Sequence, residues 1–146
     1  MDHRDYDTRL AAYALIVDEH QRILLALWNE AATPQWTMPG GGVEFHETVE
    51  EGAVRELREE TGYDVRLGRV LGVHSWTLEA DPSPGGRHRA YKSVRVVFEA
   101  AVVGGELTHE VGGTTDEARW FPLHEVASLP RTSLVDTALA FWQPGP

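Results

Sequence analysis

The segment Gly41 to Tyr63, GGVEFHETVEEGAVRELREETGY, ends in three glutamates at fixed spacing: Glu56, Glu59 and Glu60. On a helix, offsets of three and four residues fall on one face. Three carboxylates crowded on one face repel each other, and a solvated helix gains nothing from that crowding. A hard divalent cation relieves it, because Mg²⁺ takes oxygen ligands in octahedral geometry and shares them with substrate phosphates. The local sequence supports the helix. Thr48 followed by Glu51 has the form of a capping box, and Gly62 stands where a left-handed stop is expected. Val49, Ala53, Leu57 and Thr61 form an apolar stripe with Glu56 and Glu60 at its edge. The carboxylates are therefore expected where the helix meets the rest of the domain. Gly52, one turn before Glu56, costs about 1 kcal/mol of helix propensity relative to alanine, which points to a close approach to the backbone there.

Pro39, Gly40, Gly41 and Gly42 lie just upstream. A glycine loop of this kind lets a ligand or cation reach backbone carbonyls and N–H groups. Taken together, the segment resembles the Nudix box: Gly, five residues, Glu, seven residues, then Arg-Glu-aliphatic-x-Glu-Glu-x-Gly-aliphatic. Gly41, Glu47, Arg55, Glu56, Leu57, Glu59, Glu60 and Gly62 match in register. Tyr63 departs from the closing aliphatic residue, and Phe45-His46 stands where many members carry Pro-Gly.

The resemblance implies a Nudix-type α/β/α sandwich with a mixed β-sheet, formed as a single domain over residues 1–146. It also implies hydrolysis of a pyrophosphate bond in a nucleoside di- or triphosphate or a nucleoside diphosphate derivative. In that reading Glu56, Glu59, Glu60 and the Gly40 carbonyl hold Mg²⁺ or Mn²⁺. Arg55 and Glu47 pair to keep the glutamates in place, as outer partners of metal ligands do. The catalytic set is Glu56, Glu59, Arg55 and Glu47. The general base stays open between Glu56 or Glu59 and an acid on a later loop, for which Glu110, Asp116 and Glu117 are the candidates. A non-catalytic nucleotide-binding sensor built on the same fold is the alternative.

Composition narrows the partners. With 13 basic and 23 acidic residues the net charge is −10, which disfavours a grip on nucleic acid or an anionic membrane. The same excess calls for cations to bring in an anionic substrate. There is no cysteine, so disulfides, thiolate metal sites and a cysteine nucleophile are excluded. The polar start, Met1 to Leu10, has no signal-peptide character, and the apolar runs are too short to cross a bilayer. A cytoplasmic protein acting on a small nucleotide is the expectation, and pairing into a homodimer stays open.

Outside the box, strands are predicted at Ala11–Val17, Arg22–Trp28, Gln35–Met38, Val65–Trp76, Tyr91–Val103 and Glu117–Phe121, with a final helix at Ser133–Trp142. Alternation in Tyr91 to Glu99 puts Tyr91 and Arg95 on one face, where Arg95 can reach a phosphate and Tyr91 can stack on a base. Trp28, Trp36 and Trp76 are planar residues that either stack on a base or pack in the core. Trp36, Tyr91, Arg95 and Arg87 make up the substrate-binding candidates. The loop Glu79 to Ala90, rich in Pro and Gly and carrying Arg87 and Arg89, is expected at the substrate rim and mobile without ligand. The extra downstream motifs of ADP-ribose, dinucleoside polyphosphate and nicotinamide-dinucleotide subfamilies are missing, so the leaving group stays open.

Overall fold

The computed structural model describes residues 1–30, 32–108 and 115–142, with Thr115 and Asp116 described by their backbone alone. The strands are β1 (Tyr6–Leu15), β2 (Arg22–Trp28), β3 (Gln35–Thr37), β4 (Gly40–Gly42), β5 (Tyr63–Leu78), β6 (Ala90–Gly105) and β7 (Thr115–Pro122). The helices are α1 (Val49–Thr61) and α2 (Ser133–Trp142), and short 3₁₀ turns occupy His3–Asp5 and Leu123–Ser128.

A mixed sheet runs in the order β4-β1-β6-β5, with β1 and β6 parallel and the other pairs antiparallel. A second, antiparallel sheet runs β3-β2-β7. The expected mixed sheet between helices is therefore present, with a second sheet added to it. Ala11 to Leu15 are all buried, as in a strand covered on both faces. On one face Ala12 and Phe98 pack against Ala53 of α1. On the other, Ala11, Tyr13, Leu15 and Val97 meet Ile23, Leu25 and Phe121 of the second sheet and Leu134, Val135 and Ala138 of α2.

Several elements extend past the apolar runs that announce them. β1 begins at Tyr6 instead of Ala11 because its polar start is backbone-paired to β6, from Tyr6 opposite Ala90 onwards. The glycine triplet, expected as a loop, is the edge strand β4, paired with Tyr13, Ala12 and Ala11. The limits of α2 and β2 coincide with those expected.

α1 carries the two termini its sequence announces. The Thr48 hydroxyl accepts from the Glu51 N–H at 3.1 Å, and the Glu51 carboxylate accepts from the Thr48 N–H at 2.9 Å. Gly62 closes the helix at φ 80°, and its N–H donates to the Arg58 carbonyl at 2.9 Å. That left-handed conformation favours glycine. Tyr63, the departure from the box, opens β5, and its hydroxyl accepts from the Trp120 indole N–H at 3.1 Å. An aliphatic residue would leave that half-buried donor without this acceptor. Tyr63→Phe is accordingly expected to cost about 1 kcal/mol and lower Tm by a few degrees. Thermal unfolding of the two proteins measures this, and equal midpoints would show that the bond contributes nothing.

Candidate active site

α1 presents its glutamates to the edge strand β4. Glu60 is 5% exposed, and its carboxylate accepts from the Gly40 N–H at 3.0 Å. Glu56 lies against Gly41, where an added Cβ would stand 2.8 Å from the carboxylate carbon. A side chain at this second glycine would push the Glu56 carboxylate aside. Glu59, further round the helix, is half exposed.

Arg55 ties these groups together. Its Nη1 donates to Glu56 at 3.0 Å and to Glu59 at 3.2 Å. Its Nε and Nη2 engage the two oxygens of Glu47 at 3.0 and 2.6 Å, and Nη2 also reaches the Gly42 carbonyl at 2.9 Å. The planar guanidinium thus joins helix, loop and strand through a two-oxygen grip that a point charge cannot copy. Glu47 also accepts from the Glu44 N–H at 2.7 Å. The Arg55 hydrogen bonds, helped by that N–H, pull the Glu47 carboxyl down to about 2. The same bonds to Glu47, followed by those to Glu56, raise Arg55 further above its already high range against the cost of its own desolvation. Gly52 also finds its reason here, since a Cβ at that position would meet Glu47 Oε1 and Val43 Cγ2, each at 3.1 Å. The close approach read from the sequence is made by the preceding loop.

A cavity of about 560 Å³ opens beside β4, within the usual range of roughly 300–1,000 Å³ for small-molecule sites. Glu56, Glu59, Glu60 and Gly40 to Gly42 form one wall. Arg9, Tyr13 and Arg95 line it from the mixed sheet, and Trp28, Thr37, Thr132 and Leu134 line it from β2, β3 and the start of α2. Arg9 lies over Gly42, with Nη2 3.6 Å from the place a Cβ would take. Partial desolvation opposes its charge, but a hydrogen bond to Tyr13 and the nearby Tyr91 and Glu56 outweigh this and raise its pKa.

Of the substrate-binding candidates, Arg95 lines this cavity and the other three do not. Trp36 is 8% exposed and packs edge-on against Phe121 at 4.6 Å, in the core. The register explains why: Trp28 pairs with Gln35, and Trp36 pairs with Leu27. Adjacent pairs point to opposite sides, so Trp28 reaches the cavity and Trp36 cannot. Tyr91 sits further along β6, edge-on to Trp76 at 5.7 Å, with the Arg87 guanidinium over its ring at 4.4 Å. The loop Glu79 to Ala90 contributes no residue to the cavity lining. It is tied to the N-terminal segment by Arg89, which donates to Asp7 at 2.9 Å and to the Arg4 carbonyl at 2.7 Å. Glu110 lies outside the described residues, as does the Asp116 side chain. Glu117 does not line the cavity, and its carboxylate accepts from Arg119 at 2.9 Å.

Sequence reading missed Arg9, Tyr13, Glu30, Thr37, Met38, Thr132 and Leu134 in the lining. For Arg9 a signal existed: it stands two residues before Ala11 and so shares its face once β1 is extended backwards.

A fold of mixed sheet and flanking helices, with a glutamate-rich helix packed on a glycine strand at one wall of a cavity, defines a class. The family profile described as NUDIX domain matches residues 7–141. The chain belongs to this family. It is 34% identical over 120 residues to the ADP-ribose pyrophosphatase of Methanocaldococcus jannaschii, covering 82% of this chain and 65% of that protein. It is 43% identical over 109 residues to a Bacillus subtilis protein named "Putative 8-oxo-dGTP diphosphatase", covering 75% of this chain and 63% of that one. The chain thus spans just under two thirds of the length of these curated relatives. The crystal structure of a MutT NUDIX hydrolase from Burkholderia pseudomallei superposes with a TM-score of 0.71 at 29% identity, covering 92% of this chain and 97% of that one. Among the described residues no helix is long and apolar enough to cross a membrane.

Proposed function

We propose that this chain hydrolyses a pyrophosphate bond in a nucleoside triphosphate or a nucleoside diphosphate derivative, using Mg²⁺ or Mn²⁺, in the cytoplasm. One observation carries the reading: Glu56, Glu59 and Glu60 converge on a single cavity wall beside a glycine strand, and Arg55 cross-links two of them. The names of the two curated relatives divide between the same two substrate classes.

The donor chemistry suits a hard cation. Three carboxylates and the Gly40 carbonyl are oxygen ligands, and the absence of a side chain on Gly41 leaves room at the Glu56 carboxylate. Among the described residues, no three carboxylates or imidazoles already stand in a metal-holding arrangement. Arg55 Nη1 donates to both Glu56 and Glu59 and holds their carboxylates close to one another. A bound cation would neutralise phosphate oxygens and lower the pKa of a bound water. The chain's own residues then divide the remaining work. Glu56 or Glu59 takes the proton from the attacking water. Arg55, anchored by Glu47 and Gly42, holds those carboxylates in register. Trp28 offers a ring at the far wall for a base, with the Thr37 and Thr132 hydroxyls, 2.8 Å apart, beside it.

Incubation of the protein with a panel of nucleotides, followed by phosphate and pyrophosphate assays, tests the reading. Release is expected with Mg²⁺ and is expected to disappear with EDTA. Tight nucleotide binding with no turnover under any divalent cation would instead identify a sensor.

A further inference from the structure

The cavity has a cationic wall that the proposed reaction does not use. Arg9 and Arg95 project from β1 and β6 on one face of the mixed sheet: Ala11 pairs with Arg95, and Arg9 lies two residues before Ala11. Both line the cavity that holds the glutamates. Among the described residues no carboxylate pairs with Arg95, and its Nε is fully buried without a hydrogen-bond partner. Directly across the sheet, His74 pairs with Arg95 in register, and its Nδ1 is likewise buried and unpartnered. The Arg95 guanidinium also stands over the Trp76 ring, 5.7 Å from its centre, a contact that orients the plane without neutralising the charge.

Most arginines on this surface are matched to carboxylates, among them Arg22, Arg58, Arg69 and Arg131. Among the described residues Arg9 and Arg95, both in the cavity lining, have no such ion pair; Arg9 bonds to Tyr13 with Glu56 nearby, whereas the Arg95 Nε has no hydrogen-bond partner. The next residue inward on its face, Val97, is fully buried, so an apolar side chain at position 95 would continue the core at lower cost. A half-buried guanidinium with no ionic partner among the described residues is unfavourable in the free protein, and buried unsatisfied groups call for an explanation. An anion delivered by the ligand supplies one.

We propose that Arg95, with Arg9 beside it, binds a phosphate beyond the scissile pyrophosphate, so that nucleoside triphosphates are preferred over nucleoside diphosphate sugars. This rests on the hydrolase reading above. The two phosphates of a diphosphate sugar both belong to the scissile linkage and, on that reading, would lie at the carboxylate wall. No further anion is left for the sheet wall. A triphosphate carries a third phosphate, and a guanidinium pair is suited to it in geometry and charge. Arg95 is then a specificity-determining residue, and its partner is the end of the phosphate chain.

The experiment compares the wild type with Arg95→Met, which keeps the apolar stem's volume, and with Arg95→Lys. ATP and ADP-ribose serve as substrates with a common base. A charged hydrogen bond is worth about 1.5–3 kcal/mol, so KM for ATP should rise by roughly 10-fold or more in Arg95→Met, with partial recovery in Arg95→Lys. The constants for ADP-ribose should stay within about 2-fold, because no contact to it is lost. Equal losses on both substrates, or no loss on either, would overturn the proposal. Binding of inorganic tripolyphosphate in the presence of Mg²⁺, followed by calorimetry, separates this from failure of the hydrolase reading. If the wild type turns over neither nucleotide, the hydrolase reading fails. Weaker tripolyphosphate binding by Arg95→Met than by the wild type would still support the anion clamp, and equal binding would reject it.

Discussion

Glu59→Gln and Glu60→Gln are each expected to lower turnover at saturating Mg²⁺ by at least about 10²-fold, with far-ultraviolet dichroism unchanged. The two substitutions remove charge from different surroundings. Glu60 is 5% exposed and bonded to the Gly40 N–H at 3.0 Å; glutamine retains an acceptor for that bond, so α1 and β4 should stay joined. Glu59 is half exposed and makes its described contact to Arg55 at 3.2 Å. Its loss leaves Arg55 still anchored to Glu47, Glu56 and Gly42. In both variants the described hydrogen bonds are kept or replaced, so a loss of rate reports on the site: on cation binding for Glu60, and on cation binding or proton removal for Glu59. The Mg²⁺ concentration giving half-maximal rate should also rise in both variants. Near wild-type turnover in both variants would remove the metal assignment.

Arg55→Lys is the second large expected effect. An ammonium retains the charge but cannot grip Glu47 through two nitrogens while also reaching Glu56, Glu59 and the Gly42 carbonyl. Turnover should fall by about 10- to 100-fold, as for loss of an outer partner of metal ligands, with a smaller change in KM. A change confined to KM would make Arg55 a substrate contact. The pH dependence gives a second reading. The Glu47 carboxyl is held at about 2 against an ordinary 4.5. A depressed carboxyl contributes stability that is complete above its ordinary value and is lost as pH falls through the lowered one. The Glu47–Arg55 pair should therefore persist through mild acid and weaken only between about pH 4.5 and 2. An acid limb in the rate profile above pH 5 must then come from another group. In Arg55→Lys, Glu47 should titrate closer to its ordinary value, and carboxyl NMR can follow it.

The carboxylate helix was legible in the sequence because each part of it has a local cause. Thr48 and Gly62 mark its ends, and Leu57 and Ala53 fix its buried side. Glu56, Glu59 and Glu60 then fall where 3.6-residue periodicity puts them. The opposite walls were less legible because they depend on long-range register. Whether Trp28 or Trp36 faces the cavity is decided by a single step in the pairing of β2 with β3. Arg9 lies in a polar stretch that becomes strand through pairing with residues more than 80 positions away, Tyr6 opposite Ala90 and Arg9 opposite Ser93. Thr132 and Leu134 reach the site only because α2 docks beneath the sheets. The hydropathy pattern of the segment itself records none of these.

The backward extension of β1 has a practical side. Residues Tyr6 to Leu10 pair with Ala90 to Val94 and bring in Arg9, while Asp7 and Arg4 receive Arg89 from the long loop. None of these residues touches the carboxylate centre through a described hydrogen bond. A clipped or tagged N terminus can therefore preserve the diagnostic motif and the apolar core while altering which nucleotide is selected. Kinetic comparisons between preparations with different leading residues would then record differences in selectivity that have no origin in the chemistry itself.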